Sequence, residues 1–269
     1  MTRILSAILV SGLAVGAAIA DPVTIAVGQT GRGYEARGLE IAQRLEQRGH
    51  EVVVENHEGS DAISLAVCDD RATVGIMQID AIYARAKENC MLKPIGSYGD
   101  EFAFILFPPD SRNNELDDLG EGDKILVDTI GSGTELFWRN IVAIETGDQG
   151  NKSRWSKATP VYDLTLLADT MAKSGEIDAL IMVGLPQNNE VMGLLEGGWT
   201  LGELYDKDIN DERFGDGSLY KVRTVEIEVP GRWRNLRNDA YVVPSFIAIT
   251  EATANGDRKL YGDIVAAAQ

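Results

Sequence analysis

The chain has 269 residues and a formal charge of −17, from 42 acidic against 25 basic side chains. So acidic a surface is repelled by nucleic acid and anionic lipid, and neither is an expected partner. With two histidines and two cysteines, no metal cluster, no cofactor and no catalytic residue is expected, and the chain does not read as an enzyme.

Arg3 gives a short positive start, Ile4 to Gly16 is an apolar run, and Ala18-Ile19-Ala20 is an Ala-x-Ala cleavage signature. This predicts a secretory signal peptide over residues 1–20, cut after Ala20, and a periplasmic mature chain. An uncleaved anchor is the alternative, although the run is short for a bilayer span. No later stretch is long and apolar enough to span a membrane. In an exported chain, Cys68 and Cys90 are expected to form one disulfide, worth about 3 kcal/mol by loop closure.

Val23-Val27 is a β-rich run followed by Gly28-Gln29-Thr30-Gly31. Ala36, Leu39, Ile41, Ala42 and Leu45 then recur at helical spacing. Val52-Val54 is a second strand, and Ser60 is placed to cap a helix over Ala62-Cys68. Thr73-Met77 is a third strand, with Gln78-Ile79-Asp80 leading into a helix through Tyr83 and Ala86. His50 and His57 flank the second strand and read as surface residues. Alternating strand and helix predicts a parallel α/β sheet.

Phe102-Phe107 is a strongly apolar strand closed by Pro108-Pro109, after which the pattern restarts. Ile125-Val127 is a strand, Gly131 to Thr134 a turn and Glu135-Glu145 a helix. The stretch YDLTLLADTMAKSG reads as a helix, and Ile177-Met182 as a strand entering Val183-Gly184. SLAVCDDRATVGIMQIDA and DTMAKSGEIDALIMVGLP share one order: helix, polar turn, apolar strand, loop. This is weak internal repetition, consistent with two similar α/β lobes. Gly197 to Gly217 is irregular and acidic, Tyr220-Val229 alternates as a strand, and Gly231 to Tyr241 is a loop bearing Arg232, Arg234 and Arg237. Val242-Thr250 is a last strand before a helix over Leu260-Ala268. The expected organisation is lobe one over 21–106 plus 247–269 and lobe two over 107–246, with two segments crossing between them.

The stretch VDTIGSGTELFWRNI passes from strand to helix through two glycines and two hydroxyls, with no lysine. Ligands of open α/β sheets sit beyond the carboxyl ends of strands. The first N–H groups of a helix lack internal partners, and its dipole favours an anion there. Gly131 and Gly133 allow close backbone approach, while Ser132 and Thr134 are expected to add hydroxyl donors. A plain helix cap is the alternative reading. One arginine of the 231–241 loop reaching the same anion is a further possibility, set against simple neutralisation of surface acids.

These segments resemble a family. IAVGQTGRGYEARGLEIAQRL, VVENHEGSDAISLAVCDDRATVGIMQIDAIY, GSGTE and SGEIDALIMVGLPQNNEV together look like the TAXI-type solute receptors of TRAP transporters, within the type II periplasmic binding proteins. The resemblance spans most of the mature chain, and GSGTE is its most specific piece. The chain departs from the family pattern at Gly28 to Gly33, in GRWRNLRNDAY and in its short C-terminal end. The resemblance implies a two-lobe type II periplasmic binding protein fold with two hinge-crossing segments. It implies a monomer that captures a small organic anion or an amino acid such as glutamate and delivers it to a TRAP membrane subunit. It implies a cleft lined by Gly28, Gln29, Gly59, Ser60, Gln78, Asp80, Ser132, Gly133, Thr134 and Gly184. Asp80, awkward beside an anion, would suit an α-amino group. A periplasmic sensory module of the same fold, signalling to a membrane partner without transport, remains the alternative.

Overall fold

The computed structural model describes residues 22–147, 152–231 and 233–269. The leader over residues 1–20 and Arg232 lie outside the described residues.

The first half of the molecule runs β1 (Val23–Val27), α1 (Gly33–Glu46), β2 (Val52–Asn56), α2 (Ser60–Cys68), β3 (Val74–Gln78) and α3 (Ile79–Lys87). A long strand β4 (Leu92–Phe107) leads to the second half: β5 (Lys124–Leu126), α4 (Gly133–Thr146), β6 (Thr159–Val161), α5 (Ala168–Lys173), β7 (Ala179–Gly184) and α6 (Asn189–Glu196). Shorter pieces follow: β8 (Thr200–Gly202), α7 (Lys207–Asp211), β9 (Arg213–Phe214) and β10 (Gly217–Ser218). Strands β11 (Lys221–Ile227) and β12 (Leu236–Thr250) bring the chain back to α8 (Glu251–Asn255) and α9 (Arg258–Ala268).

One sheet orders the strands β2-β1-β3-β12-β4-β7-β5-β6. β1 pairs in parallel with β2 and β3, and β5 pairs in parallel with β6 and β7. The halves are therefore the same unit used twice. Each has its first strand in the middle, its second outside and its third inside. β12 lies antiparallel on β3, β4 lies antiparallel on β7, and β4 and β12 pair with each other from Tyr241↔Ala103 to Thr250↔Leu92. These two long strands belong to both halves. Their ladder shifts register between Ser245 and Phe246 and again between Ile247 and Ala248, and such bulges bend and twist a strand pair.

Apolar side chains cover both faces of each half. Val27, Ile41, Leu45, Ile76 and Ile264 meet on one face of the first half, so α9 closes a core begun by β1. Ile63, Val67 and Met77 fill the other face, joined by Leu136 from α4. In the second half, Ile105, Val127, Phe137 and Trp155 form one core, joined by Tyr83 from α3, and Phe104, Leu126, Leu180 and Trp199 form the other. Leu136 and Tyr83 thus each serve the opposite half, and α3 and α4 bind the halves together behind the strand pair. A fully buried phenylalanine such as Phe104 contributes about 1.5–3 kcal/mol by leaving water.

Several expectations change in detail. Phe102–Phe107 is only the second part of β4, whose first part is polar and glycine-bearing. YDLTLLADTMAKSG yields a short 3₁₀ turn at Thr165–Leu167 and only Ala168–Lys173 as α-helix. Ser60 is the first residue of α2, not its cap; its hydroxyl accepts the Gln78 N–H at 3.2 Å, tying α2 to the end of β3. Cys68 and Cys90 are bonded, with Cα atoms 6.0 Å apart, and staple the end of α2 to the turn after α3. His50 is half-buried against Asp263 of α9 at 2.9 Å. His57 is also half-buried, with a pKa lowered chiefly by burial. No helix among the described residues is long and apolar enough to cross a membrane.

Candidate functional site

A cleft of about 1190 Å³ opens between the halves, at the carboxyl ends of the parallel strands. Gly28 and Gln29 follow β1, Gly59 and Ser60 open α2, and Gln78 ends β3; all five line it. Ser132, Gly133 and Thr134 open α4 and Gly184 ends β7, and these line it from the other side. Nine of the ten residues expected at the site therefore share one cavity.

Asp80 is the exception. It lies in the first turn of α3, fully buried, where its Oδ1 accepts from Tyr220 Oη and, at 3.3 Å, from Asn140 Nδ2. Two residues after Gln78, its side chain points away from the cleft toward Asn140 of α4. Burial pushes the Asp80 carboxyl up to about 7, against the lowering effect of its two hydrogen-bond donors. Asp80 is therefore part of the tie between the halves. Asp61 of α2 adds a second tie, taking Arg85 at 2.9 Å and Arg139 of α4 at 2.7 Å.

The loop before α4 is built as the spacing suggests. Gly131 has φ +89°, a conformation that favours glycine. Its N–H donates to Glu135 Oε2 at 3.3 Å. Ser132 caps the helix, its Oγ accepting from the Glu135 N–H at 3.1 Å. Thr134 Oγ1 accepts from the Val183 N–H at 3.0 Å, fixing α4 to β7. Both hydroxyl oxygens are thus engaged with backbone. What this loop presents is the pair of N–H groups at Gly133 and Thr134, the first of the helix and without an intrahelical acceptor.

The halves touch at this loop. A Cβ on Gly59 would meet Ser132 Cα at 2.7 Å and Gly131 O at 2.8 Å. A Cβ on Gly133 would meet Gln78 Oε1 at 2.2 Å. Hydrogen on the Gly59 α-carbon lets the α2 and α4 loops lie against each other, and hydrogen on the Gly133 α-carbon leaves room for the Gln78 amide at the end of β3.

The cleft also holds residues that neither spacing nor resemblance singled out. Tyr34, Tyr98 and Glu101 form part of its wall, and Glu101 sits on β4 where that strand passes between halves. Glu101 Oε2 accepts from Tyr34 Oη at 2.7 Å, Gln78 Nε2 at 2.9 Å and Ser245 Oγ at 2.7 Å. Burial first and the Glu101 charge second push the Tyr34 phenol well above its usual range. Arg32 is the cationic side chain of the lining, and it pairs with Glu190 at 3.4 Å. Asp128, at φ +67° beside the α4 loop, has a carboxyl raised by burial and held back by the Thr129 N–H and the Ser132 hydroxyl. Leu164, Leu166 and Leu185 form an apolar rim on the second half.

The described arginines of the 231–241 segment point elsewhere, and that segment is only partly a loop, since β12 already begins at Leu236 and Arg237 pairs there with β11. Arg234 stacks on Trp233 at 4.1 Å, and Arg237 reaches Glu226 at 3.4 Å; neither lines the cleft. Among the described residues no group of three or more His, Cys, Asp or Glu is placed to hold a metal ion.

No protein-family model and no curated protein sequence matches the chain. Solved structures do. The ligand-binding core of GluR0 in complex with L-glutamate superposes with a TM-score of 0.53 at 12% identity, over 93% of this chain and 91% of that one. The periplasmic aliphatic sulphonate binding protein SsuA of Escherichia coli gives 0.52 at 16% identity, over 92% and 71%. The periplasmic sulfonate-binding protein of a putative sulfonate ABC transporter from Methylobacillus flagellatus KT gives 0.52 at 14%, over 93% and 67%. The fold is the two-lobe fold of periplasmic binding proteins. At these identities the likeness speaks to fold alone, so the two halves are lobes in that sense and the cleft lies between them.

Proposed function

We propose that the chain is an exported solute receptor, which closes its lobes on a small organic solute and delivers it to a membrane transporter. The observation that carries this reading is convergence. Loops after β1, β2, β3 and β5, and the end of β7, reach one cleft from both lobes, at the switch-point position where open α/β sheets bind ligands. The ties from Asp61 to Arg139 and from Asp80 to Tyr220 lie behind the cleft and suit a pivot. We place the bend in β4 near Gly99–Glu101 and in β12 near Pro244–Phe246, since Phe102–Leu106 already pairs with β7 and Ser245–Ala248 with β3. The lobe border in β4 is then several residues earlier than the apolar run Phe102–Phe107 suggests.

Delivery to a TRAP-type membrane subunit, as a TAXI-type receptor, is supported by the resemblance of the GSGTE segment and its setting. The proteins of like fold named for sulphonate binding and for a complex with L-glutamate support a small charged solute as cargo. The test is scattering in solution. The chain is stripped by unfolding and refolding, and the released small-molecule fraction is added back. The radius of gyration should fall on re-addition. Rebinding at unchanged radius would contradict closure.

A further inference from the structure

The receptor reading leaves open what the cleft selects, and its electrostatics bear on that. Five carboxylates line it, from Glu58, Asp100, Glu101, Asp128 and Glu190, against the single guanidinium of Arg32. Two are paired across short distances, Glu190 with Arg32 and Asp100 with Arg223 at 2.9 Å. Among the described residues, Glu101 has no cationic partner. The helix N-termini are partly answered from within, since Glu35 and Glu135 each turn back on the glycine N–H before their own helix. An anionic solute would enter a field already negative.

The second observation is an acceptor without a donor. Gln78 is 4% exposed and lines the cleft. Its Nε2 donates to Glu101 Oε2, which sets the orientation of the amide, because the flipped amide would set oxygen against carboxylate oxygen. Its Oε1 is then buried with no hydrogen-bond partner. On the neighbouring Glu101 carboxylate, Tyr34, Gln78 and Ser245 all donate to Oε2, and none of them to Oε1. Two neighbouring groups, tied to each other, thus each present an unused acceptor. A buried acceptor left unmade is costly, as for Gln78 Oε1, and a donor bearing positive charge answers that oxygen and the unpaired Glu101 charge at once.

We infer that the cleft is specific for a solute carrying a protonated amine, cationic or zwitterionic overall, whose N–H groups are received by Glu101 Oε1 and Gln78 Oε1. The inference rests on the receptor reading and deepens it. A carboxylate on the same solute is met by the Gly133 and Thr134 N–H groups, in the loop whose Gly133 α-carbon lies beside the Gln78 amide. The role that sequence gave to Asp80 passes to Glu101, which is on the cleft side of the fold.

The test pairs ligands rather than variants. Calorimetry on the intact mature chain uses the twenty common amino acids and putrescine, their desamino counterparts (glutarate for glutamate, 4-methylpentanoate for leucine), and glycine betaine, a zwitterion whose quaternary ammonium has no N–H donors. The expected result is binding by at least one primary amine, with a loss of a hundredfold or more in its desamino partner and no binding of betaine. Glu101→Gln should weaken that amine at least tenfold while the unliganded thermal midpoint stays within a few degrees. If that variant does not fold, the paired ligands on the natural chain decide alone. A desamino acid bound as tightly as its amine would overturn the inference and leave the receptor reading standing. A chain that binds no member of either set would overturn both.

Discussion

The loops that open α1 and α4 are the same device with different cargo. One reads Gly31-Arg32-Gly33-Tyr34-Glu35 and the other Gly131-Ser132-Gly133-Thr134-Glu135. In each the first glycine has positive φ, +80° and +89°, and in each its N–H donates to the glutamate four residues on, at 2.6 and 3.3 Å. Each opens a helix of 14 residues after the central strand of its lobe. The difference lies in the two variable side chains. Ser132 and Thr134 are spent on the fold, as a cap and as a link to β7. Arg32 and Tyr34 cap nothing; they extend into the cleft, Arg32 to Glu190 and Tyr34 to Glu101. The second loop is a rigid backbone platform, and the first carries the side-chain chemistry.

The largest break in this comparison would come from the point where lobe one meets the second loop. Gly59→Val puts a branched side chain against Ser132 backbone, and backbone cannot yield as a side-chain tip can. Closure should be blocked, with ligand affinity falling at least about a hundredfold, or ~2.7 kcal/mol, while thermal stability changes little. Calorimetry and a melt on the same sample check it.

The pivot behind the loops gives the next effect, read against pH. Asp80 titrates near 7 when folded and near 3.8 in a model peptide. Between those values the folded chain holds a proton that the unfolded chain has lost. Stability from this group is therefore full below about pH 4 and falls as pH rises toward 7, by at most ~1.4 kcal/mol per pH unit. Asp80→Asn, which keeps an acceptor for Tyr220, should flatten that slope in denaturant titrations at several pH values. An unchanged slope would remove Asp80 from the account.

The two glutamates should differ. Glu135 is buried and also holds Arg139 at 3.0 Å, so Glu135→Gln should cost about 1.5–3 kcal/mol of stability. Glu35 is more open, and Glu35→Gln should cost under about 1 kcal/mol. Equal costs in chemical denaturation would mean that the repeat is one of sequence only. Smallest is the cap: Ser132→Ala should cost ~1 kcal/mol of stability and shift ligand affinity less than threefold. A tenfold loss of affinity without loss of stability would return the Ser132 hydroxyl to the ligand.

Strand-to-helix alternation was legible because β1, β3, β5 and β7 are buried runs of branched and apolar residues. Their carboxyl-end loops then located most of the cleft. The first part of β4 was not legible. Lys93 to Glu101 is polar because it crosses between lobes beside the cleft, so its strand character comes from pairing with β12 and not from a buried face. Glu101 was hidden for the same reason, one of two adjacent acids at the end of a polar stretch. The likeness of GRGYE to GSGTE was masked by its variable positions, which reach cleft-lining acids in one lobe and hold the fold in the other. Asp80 misled because spacing along the chain does not say on which side of the first helical turn a side chain emerges.

Native mass spectrometry of the chain, purified without refolding beside its Gly59→Val variant, tests most directly whether the two loops close on a solute. The account predicts a small-molecule mass retained by the natural chain and absent from the variant. The same mass on both chains, or a bare natural chain, would contradict it.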